Sequence, residues 1–464
     1  MRPVKSNIEV LSEKELLLLH DAAVKILSEI GMKVPNEELL NACKERGCVV
    51  KGRDTLLFPM KVMEGFIEKS RAQDASVPAG TPQKLYGRIS SQVTLVDPMA
   101  KTRRYGLRED NIKGYRLMEK LANVPVAGAV VIPSDVPPAI ADTVAFADMY
   151  KYSTKPGLGY VLTMTGAKYV QQIYDLMKLK SNYLLESISP LSFKPDTLEI
   201  AQYFAKRGGE LRIAPMAMGA ATAPVTVSGT LALETAEVLG SGYLVYVMTG
   251  GFPAFEASCH SADLRTMLCS FGSPNQAFFA AAAAQIARFY GIKGGSNAAL
   301  TDAITLDFQG GFEKGVSAAF AGLSGISFIG CQGIVGADQG FSFEQLVVDN
   351  EWLDYLNYLI SGFDVTEESI GYDVIKEVGI AGNFLSEEHT FVHMRDDYWQ
   401  SELFTRCGWK AWKDSKEESL LDRAHAFVEN ATAGYQNAES VLDDDTRRAL
   451  DKIIDEAYKG EAAC

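Results

Sequence analysis

The spacing of apolar residues changes twice along the chain. Residues 1–107 mix helical spacing with strand-like alternation, residues 108–340 alternate helical stretches with short uncharged runs, and residues 341–464 are helical and richer in charge. Short runs of Val, Ile and Gly are typical of strands buried on both faces. We therefore predict an N-terminal helical and strand cap layer at 1–107, a barrel core at 108–340 and a C-terminal helical part at 341–464.

The cap layer begins with a helix start signal. Ser12 and Glu15 form a Ser-x-x-Glu capping box ahead of a helical apolar run at 16–30. Further helices are predicted at 36–46 and 60–70. Alternating strands are predicted within 84–107, with a turn at Asp97 and Pro98.

The middle part contains about seven strand–helix units. The predicted strands are 126–132, 157–163, 183–188, 211–216, 243–248, 292–298 and 325–330. The predicted helices are 112–121, 139–150, 167–178, 195–207, 230–239, 275–290 and 312–322. With an eighth strand from within 84–107, this pattern favours an α/β fold of the TIM-type (β/α)8 barrel over an open doubly wound sheet. No Gly-x-Gly-x-x-Gly follows a predicted strand, which weakens a dinucleotide-binding interpretation.

The C-terminal part is expected to wrap the barrel with helices. These are predicted at 343–359, 366–378, 397–403, 416–430 and 443–458.

Charge and cysteine content limit the function classes. The net charge of −14 argues against nucleic-acid binding, which usually needs a basic surface. The uncharged run at 315–337 has the length of a membrane span but contains six glycines, so we predict a buried helix followed by a strand. Seven scattered cysteines without a Cys-x-x-Cys pair indicate reduced thiols, and the first 15 residues are polar. We expect a cytoplasmic protein that does not enter a membrane.

Two histidines offer one possible metal site. His389 and His393 stand four residues apart, so on a helix both would face one side, with Glu387 and Glu388 as further ligands. The segment lacks the His-Glu-x-x-His pattern. A metal-dependent barrel hydrolase or lyase therefore stays an alternative, while our main prediction includes no metal.

Several short motifs occur in a fixed order along most of the chain. They are Ser153-Thr154-Lys155-Pro156, Ala221-Thr222-Ala223-Pro224-Val225-Thr226, Arg265-Thr266-Met267, Phe271-Gly272-Ser273-Pro274, Leu300-Thr301-Asp302, Gly311-Phe312-Glu313-Lys314, Phe343-Glu344-Gln345-Leu346 and Glu388-His389-Thr390. Between about 85 and 412 the chain resembles the trimethylamine methyltransferase (MttB-like) superfamily.

This resemblance implies a (β/α)8 barrel and methyl transfer to the Co(I) of a cognate corrinoid protein. The corrinoid (cobalamin) would be carried by that partner, with no cofactor tightly bound in this chain. Because the chain has only standard residues, it looks like the branch without pyrrolysine, whose members act on quaternary amines such as glycine betaine, proline betaine or carnitine. A non-catalytic betaine-binding protein is a further alternative.

A quaternary ammonium suits binding by aromatic faces and carboxylates. It already carries its charge and leaves as a neutral amine, so the enzyme must mainly position it. Glu256 and Asp302 are the predicted catalytic carboxylates, and Glu186 is a predicted cation ligand. Aromatic faces attract such cations. The aromatic candidates are Tyr160, Phe252, Phe255, Phe308, Phe341 and Phe343.

The remaining candidates concern the substrate's other end and the partner. Arg265 is predicted to bind a substrate carboxylate, and Asn297 and Gln332 to orient the substrate. His389 is predicted to lie near the corrinoid. The corrinoid protein would bind transiently at an open barrel mouth, and self-association is a general expectation for large barrels.

Overall fold

The computed structural model describes residues 8–73, 84–157, 159–255, 259–395 and 397–462. It is a mixed α/β structure of many helices and small sheets. The helices are α1 (Glu13–Glu29), α2 (Glu37–Glu45), α3 (Met60–Gln73), α4 (Arg108–Met118), α5 (Ala141–Tyr152), α6 (Met164–Leu176), α7 (Pro195–Ala205), α8 (Val227–Thr249), α9 (Pro274–Tyr290), α10 (Phe308–Leu323), α11 (Phe343–Ser361), α12 (Glu367–Ile370), α13 (Tyr372–Val378), α14 (Glu388–His393), α15 (Trp409–Asp414), α16 (Leu420–Ala431) and α17 (Asp444–Ala462). The strands are β1 (Met32–Lys33), β2 (Val49–Lys51), β3 (Thr55–Leu57), β4 (Tyr86–Arg88), β5 (Thr94–Asp97), β6 (Thr102–Tyr105), β7 (Asn182–Leu185), β8 (Glu210–Ile213), β9 (Met218–Gly219), β10 (His260–Ala262), β11 (Cys269–Ser270), β12 (Phe328–Cys331), β13 (Ile334–Val335) and β14 (Gly340–Phe341).

The N-terminal elements form as their sequence signals predict. Ser12 caps α1 in a complete capping box with Glu15, and Asn36 caps α2 by accepting from the Leu39 N–H. The hairpin of β5 and β6 turns after Asp97, which pairs with Thr102. These predictions are confirmed.

Short parallel strands in the middle of the chain lie side by side. β7 pairs in parallel with β8, and β12 pairs in parallel with β4. Isolated parallel bridges extend these pairs. They are Ile213 with Phe255, Phe255 with Gly294, Ser296 with Ile329, Gln92 with Val131, and Ala127 with Gly157. Six of the seven predicted strand regions therefore take part in parallel pairing.

The predicted strand at 243–248 is wrong, because this segment is the C-terminal half of α8. Residues 227–249 form one apolar run that is buried on nearly all sides, and a buried helix and a buried strand share that pattern. Thr226 caps its start, and Gly250 ends it with φ of 74°. The strand position next to β8 is taken by the segment at Phe255.

Two C-terminal predictions also need correction. The predicted helix at 366–378 is divided into α12 and α13 at Gly371, whose φ is 61°. The segment 397–403 is not helical, because its polar groups bond instead to α11: the Trp399 indole donates to Asp354 at 2.9 Å, and the Glu402 N–H donates to Glu351 at 2.9 Å.

The uncharged run at 315–337 forms the end of α10, then β12 and β13, as predicted. Among the described residues, no helix is both long and apolar enough to cross a membrane.

Asp349 ties α10 and α11 to the turn after β12. Its carboxylate accepts from the ammonium of fully buried Lys314 at 2.9 Å and from the Gly333 N–H at 2.7 Å. Gln345 and Trp352 on α11 donate to its other oxygen at 2.7 and 2.9 Å. This set of bonds fixes the start of the segment that leads to Asp338.

Candidate functional site

Two adjoining cavities lie among the parallel strands, and the inner one runs along β7 and β8 from their first residues to the residues that follow them. The inner cavity, about 320 Å³, is lined by residues from β4, β7, β8, β12 and the segments between them. The side cavity, about 240 Å³, lies between α5 and the segments 129–133 and 159–162. Six residues line both: Ser90, Ser91, Ala129, Gly159, Tyr160 and Glu186. Concave, mostly apolar spaces with a few polar groups are typical of small-molecule sites.

Strand alternation selects which residues face the inner cavity. On β7 and just after it, Asn182, Leu184 and Glu186 line the cavity, while Tyr183 and Leu185 are buried on the other face. Tyr183 stacks on Phe204 of α7 with ring centroids 5.8 Å apart. This period of two places Glu186 on the cavity side just after β7 ends.

Glu186 is the carboxylate on the wall of both cavities. No described residue donates a hydrogen bond or forms an ion pair with it. Burial raises its pKa above the usual value for Glu. A partly buried carboxylate without a partner is costly, so a cation in the cavity would stabilise its ionised form.

Tyr160 supplies an aromatic ring to the same two cavities that Glu186 lines. Its hydroxyl lies 3.1 Å from the Ser90 Oγ atom, which joins the segment at 160 to the segment that follows β4. Tyr160 and Glu186 line both cavities, so a small ligand could contact an aromatic face and a negative charge together.

Asn297 is held by two buried neighbours. Its side-chain N–H donates to the Nε2 atom of His260 at 3.2 Å, and Gln276 donates to its Oδ1 atom at 3.3 Å. Burial lowers the pKa of His260 to about 4, so the imidazole is neutral near pH 7. This arrangement fixes the orientation of the Asn297 amide in the cavity wall.

Asp338 lines the inner cavity but does not belong to the predicted set. It accepts from the Gln92 amide at 2.7 Å, and burial raises its pKa. Ala337 and Asp338 both have left-handed backbone, with φ of 54° and 63°. Such conformations are unfavourable for non-glycine residues and often occur at functional sites. The sequence signal was a single acid at the end of a long uncharged run.

Asp302 lies behind the cavity wall rather than in it. Its carboxylate accepts from the Ser270 hydroxyl at 2.6 Å and from the Phe271 N–H at 2.7 Å. Phe271 lines the inner cavity. Asp302 therefore positions a wall residue.

Four of the predicted aromatic ligands pack in the core instead. Phe252 stacks on Phe66 with centroids 5.3 Å apart. Phe255 is buried against α8 and α9. Phe341 and Phe343 are buried against each other, 5.5 Å apart. The positions of these residues along their strands and helices turn the rings away from both cavities. Amino-acid composition does not reveal which way a ring points.

Three polar or aromatic candidates lie outside both cavities as well. Arg265 is exposed and pairs with Asp263 at 3.1 Å. Phe308 is 88% exposed at the start of α10. Gln332 is fully buried, close to Gly87, and its amide atoms have no hydrogen-bond partner among the residues that the structure describes. The predicted catalytic Glu256 lies outside the described residues.

The two candidate metal-binding histidines lie on α14, remote in sequence from the cavity-lining segments. The His389 and His393 rings lie 4.4 Å apart, and His393 contacts Asp397 at 3.2 Å. His389 packs against Gly371 and lines neither cavity. Within the part of the chain that the structure describes, no three His, Cys, Asp or Glu side chains are grouped to hold a metal ion.

Comparison with known proteins indicates the class of enzyme, because relatives that match nearly the full length of the chain are methyltransferases. The chain is 28% identical over 449 residues to a glycine betaine methyltransferase from Desulfitobacterium hafniense, covering 92% of each chain. It is 25% identical over 487 residues to an L-carnitine:corrinoid methyltransferase from Eubacterium limosum, covering 95% of this chain and 96% of the relative.

The family follows from a match along nearly the whole chain. The chain belongs to the trimethylamine methyltransferase (MTTB) family, whose model matches residues 2–460. Among solved structures, the monomethylamine methyltransferase of Methanosarcina barkeri is 10% identical, with a TM-score of 0.45 over 95% of this chain and 97% of that one.

Proposed function

We propose that this protein transfers a methyl group from a small quaternary amine to the Co(I) of a corrinoid carried by a partner protein. The observation that carries the proposal is the Glu186 carboxylate, which has no partner among the described residues and lines both cavities together with Tyr160. The family membership and the two full-length relatives named for betaine and carnitine support the same reaction class.

The parallel segments form, in this proposal, a closed TIM-type (β/α)8 barrel. Eight segments contribute, from residues 86–92, 127–131, 157 with 159–160, 182–185, 210–213, 255, 294–296 and 328–331. Closure would join the segment of Gly159 and Tyr160 to β7. Gly159 and Tyr160 line the same inner cavity as Asn182 and Leu184, which supports closure at that point. The division into parts at 107 and 340 stays a prediction.

The chain's own residues would bind and orient the cation. Glu186 and Tyr160 hold the ammonium, while the neutral Asn297 amide and Met216 form the adjoining wall. Asp338 is a further carboxyl on the wall of the inner cavity, besides Glu186 and Glu210. No side chain needs to donate a proton to the nitrogen during methyl loss, because the leaving amine is neutral. Correct alignment can contribute about 7–11 kcal/mol to lowering such a barrier.

The partner would dock where the cavities open. Ile132 and Leu162 line the side cavity and are 39% and 53% exposed, and Met216 lines the inner cavity and is 42% exposed. Exposed apolar residues on a cavity rim are suited to transient protein contact. The corrinoid, when bound to its own protein, supplies the Co(I) nucleophile for the methyl group.

The test is direct methylation of reduced cobalamin. The purified chain would be mixed with cob(I)alamin and glycine betaine, proline betaine, carnitine, γ-butyrobetaine or choline, and methylcobalamin followed by absorbance. We expect formation with at least one amine and loss with Glu186→Gln. Tight amine binding without methylcobalamin, also with a corrinoid protein added, would favour a binding protein instead.

Location in the cytoplasm is also a proposal. The free thiols of five cysteines whose side chains the structure describes support it: Cys43, Cys48, Cys259, Cys269 and Cys407.

A further inference from the structure

The segment after α11 leaves the body of the protein as an uncovered arm. The chain leaves at the end of α11 and returns to the same helix where Trp399 packs edge-on against Tyr355, 5.1 Å between centroids. We call residues 362–395 the arm. None of its residues is buried, including those of α12, α13 and α14.

The arm displays an unusual number of large apolar side chains. Eleven are exposed, from 42% for Met394 to 104% for Ile380. They are Phe363, Val365, Ile370, Tyr372, Ile375, Ile380, Phe384, Leu385, Phe391, Val392 and Met394. Single exposed apolar residues are ordinary, but a set of this size within one segment of 34 residues is suited to a protein contact.

We infer that the arm packs on a second copy of this chain and so joins two subunits. Its helices contain 4, 7 and 6 residues. Isolated helices shorter than about 12–15 residues are marginally stable in water, so these helices need permanent cover. A corrinoid protein that must come and go in every catalytic cycle cannot provide permanent cover, whereas an identical subunit can.

The size of the arm agrees with this occupant. Eleven exposed side chains offer on the order of 1,000 Å² of surface, and a stable interface needs about 800 Å² per partner. Permanent interfaces are also more apolar than transient ones.

Charge indicates that the arm contacts the body of the second copy rather than its arm. The arm contains seven acidic residues and only Lys376 and Arg395 as basic ones, so two arms side by side would repel each other. The hairpin of β5 and β6 has complementary chemistry, because β6 is a sheet edge with exposed Arg103 and with Tyr105 67% exposed. This hairpin is the acceptor surface that we propose.

The experiment compares the mass of the full chain with that of matched variants by sedimentation velocity at micromolar concentration. The arm variant combines Ile380→Asp and Leu385→Asp. The control combines Leu18→Asp and Met60→Asp, which lie outside the arm and are 59% and 54% exposed. We expect a dimer or larger assembly for the wild type and the control. The arm variant should dissociate, with a subunit dissociation constant at least about 100-fold higher.

Hydrogen exchange on the same samples tests whether the arm is the buried surface. Arm amides should be protected in the wild-type assembly and exchange rapidly in the arm variant. A monomeric wild type, or an arm variant that remains assembled, would overturn the inference. Protection that depends on an added corrinoid protein would overturn it too, since a different partner would then cover the arm.

Discussion

The side-chain amide of Asn297 donates to the Nε2 atom of neutral His260 across 3.2 Å. Because Asn297 lines the inner cavity, a fully buried histidine on β10 sets the orientation of a polar group that a ligand would meet. The relationship requires His260 to stay unprotonated, since a second ring proton would face the Asn297 N–H.

Stability should therefore fall in acid through His260. Its pKa is about 4 in the folded chain, against 6.5 for the free side chain. Above pH 6.5 neither state binds the proton, so this residue causes no pH dependence there. Between pH 6.5 and 4 the unfolded state binds it, which lowers the free energy of unfolding by a total of about 3 kcal/mol. The measurement is denaturant unfolding of the wild type and of His260→Gln at several pH values. An unchanged pH dependence in the variant would contradict this assignment.

Replacement of Glu186 by Gln should weaken binding of quaternary amines by roughly 10- to 100-fold, because the cavity loses a negative charge. Isothermal calorimetry would measure the dissociation constant. Glu210→Gln is the matched control, since Glu210 lies farther down the same wall, where Lys180 pairs with it at 2.9 Å. Equal losses in both variants would mean that Glu186 has no special role.

Amine binding should also weaken as pH falls. Burial raises the pKa of Glu186, and only the ionised carboxylate attracts the cation. Below that raised pKa the affinity should decrease about tenfold per pH unit. Glu186→Gln should remove this decrease of affinity with falling pH, while any pH dependence of affinity that other groups cause should remain. Identical slopes for the two proteins would rule Glu186 out as the titrating group.

Asp302→Ala should affect both stability and binding. It leaves the Phe271 N–H without its acceptor, which costs about 1–3 kcal/mol, and it frees a ring of the cavity wall. Asp307→Ala is the control. Asp307 caps α10 by accepting from the Gly310 N–H at 2.9 Å, so its removal should lower the free energy of unfolding by about 1 kcal/mol without changing the cavity. Only Asp302→Ala should raise the dissociation constant.

Lys155→Met should destabilise the fold by about 2–4 kcal/mol without changing amine affinity. The Lys155 ammonium donates to the carbonyls of Leu121 and Val124 at 2.7 and 2.6 Å and to that of Met118. All three carbonyls would lose the ammonium, although those of Met118 and Leu121 also accept backbone N–H groups. Thermal unfolding and calorimetry would separate the two effects, and an affinity change at unchanged stability would contradict a purely structural role.

The sequence was sufficient for most elements and for part of the site. Polar residues that follow buried strands, such as Glu186 and Asn297, lie on the cavity wall, because strand ends meet at one edge. The sequence does not show that the second half of α8 is helical, since a run buried on all sides has no periodicity to distinguish helix from strand.

The aromatic candidates show what the sequence could not provide. Phe252 and Phe255 lie in or near the segment that pairs with β8, as the sequence suggests. The direction of each ring, however, depends on its exact position along that segment. Asp338 enters the cavity because the chain folds back between β13 and β14. That fold-back depends on distant partners such as Gln92 and Thr94, which no local pattern relates to it.

Side chains on β7 alternate between the cavity and the helices. Which side chains line the cavity therefore depends on whether the number of residues in this stretch is even or odd. Deleting Leu185 while Glu186 keeps its place would turn Tyr183 toward the cavity and Leu184 toward the helices. Deleting two would keep the same faces and shorten the strand. Over this stretch the chain therefore tolerates changes in length only in steps of two, although each single residue contributes little to the folded state.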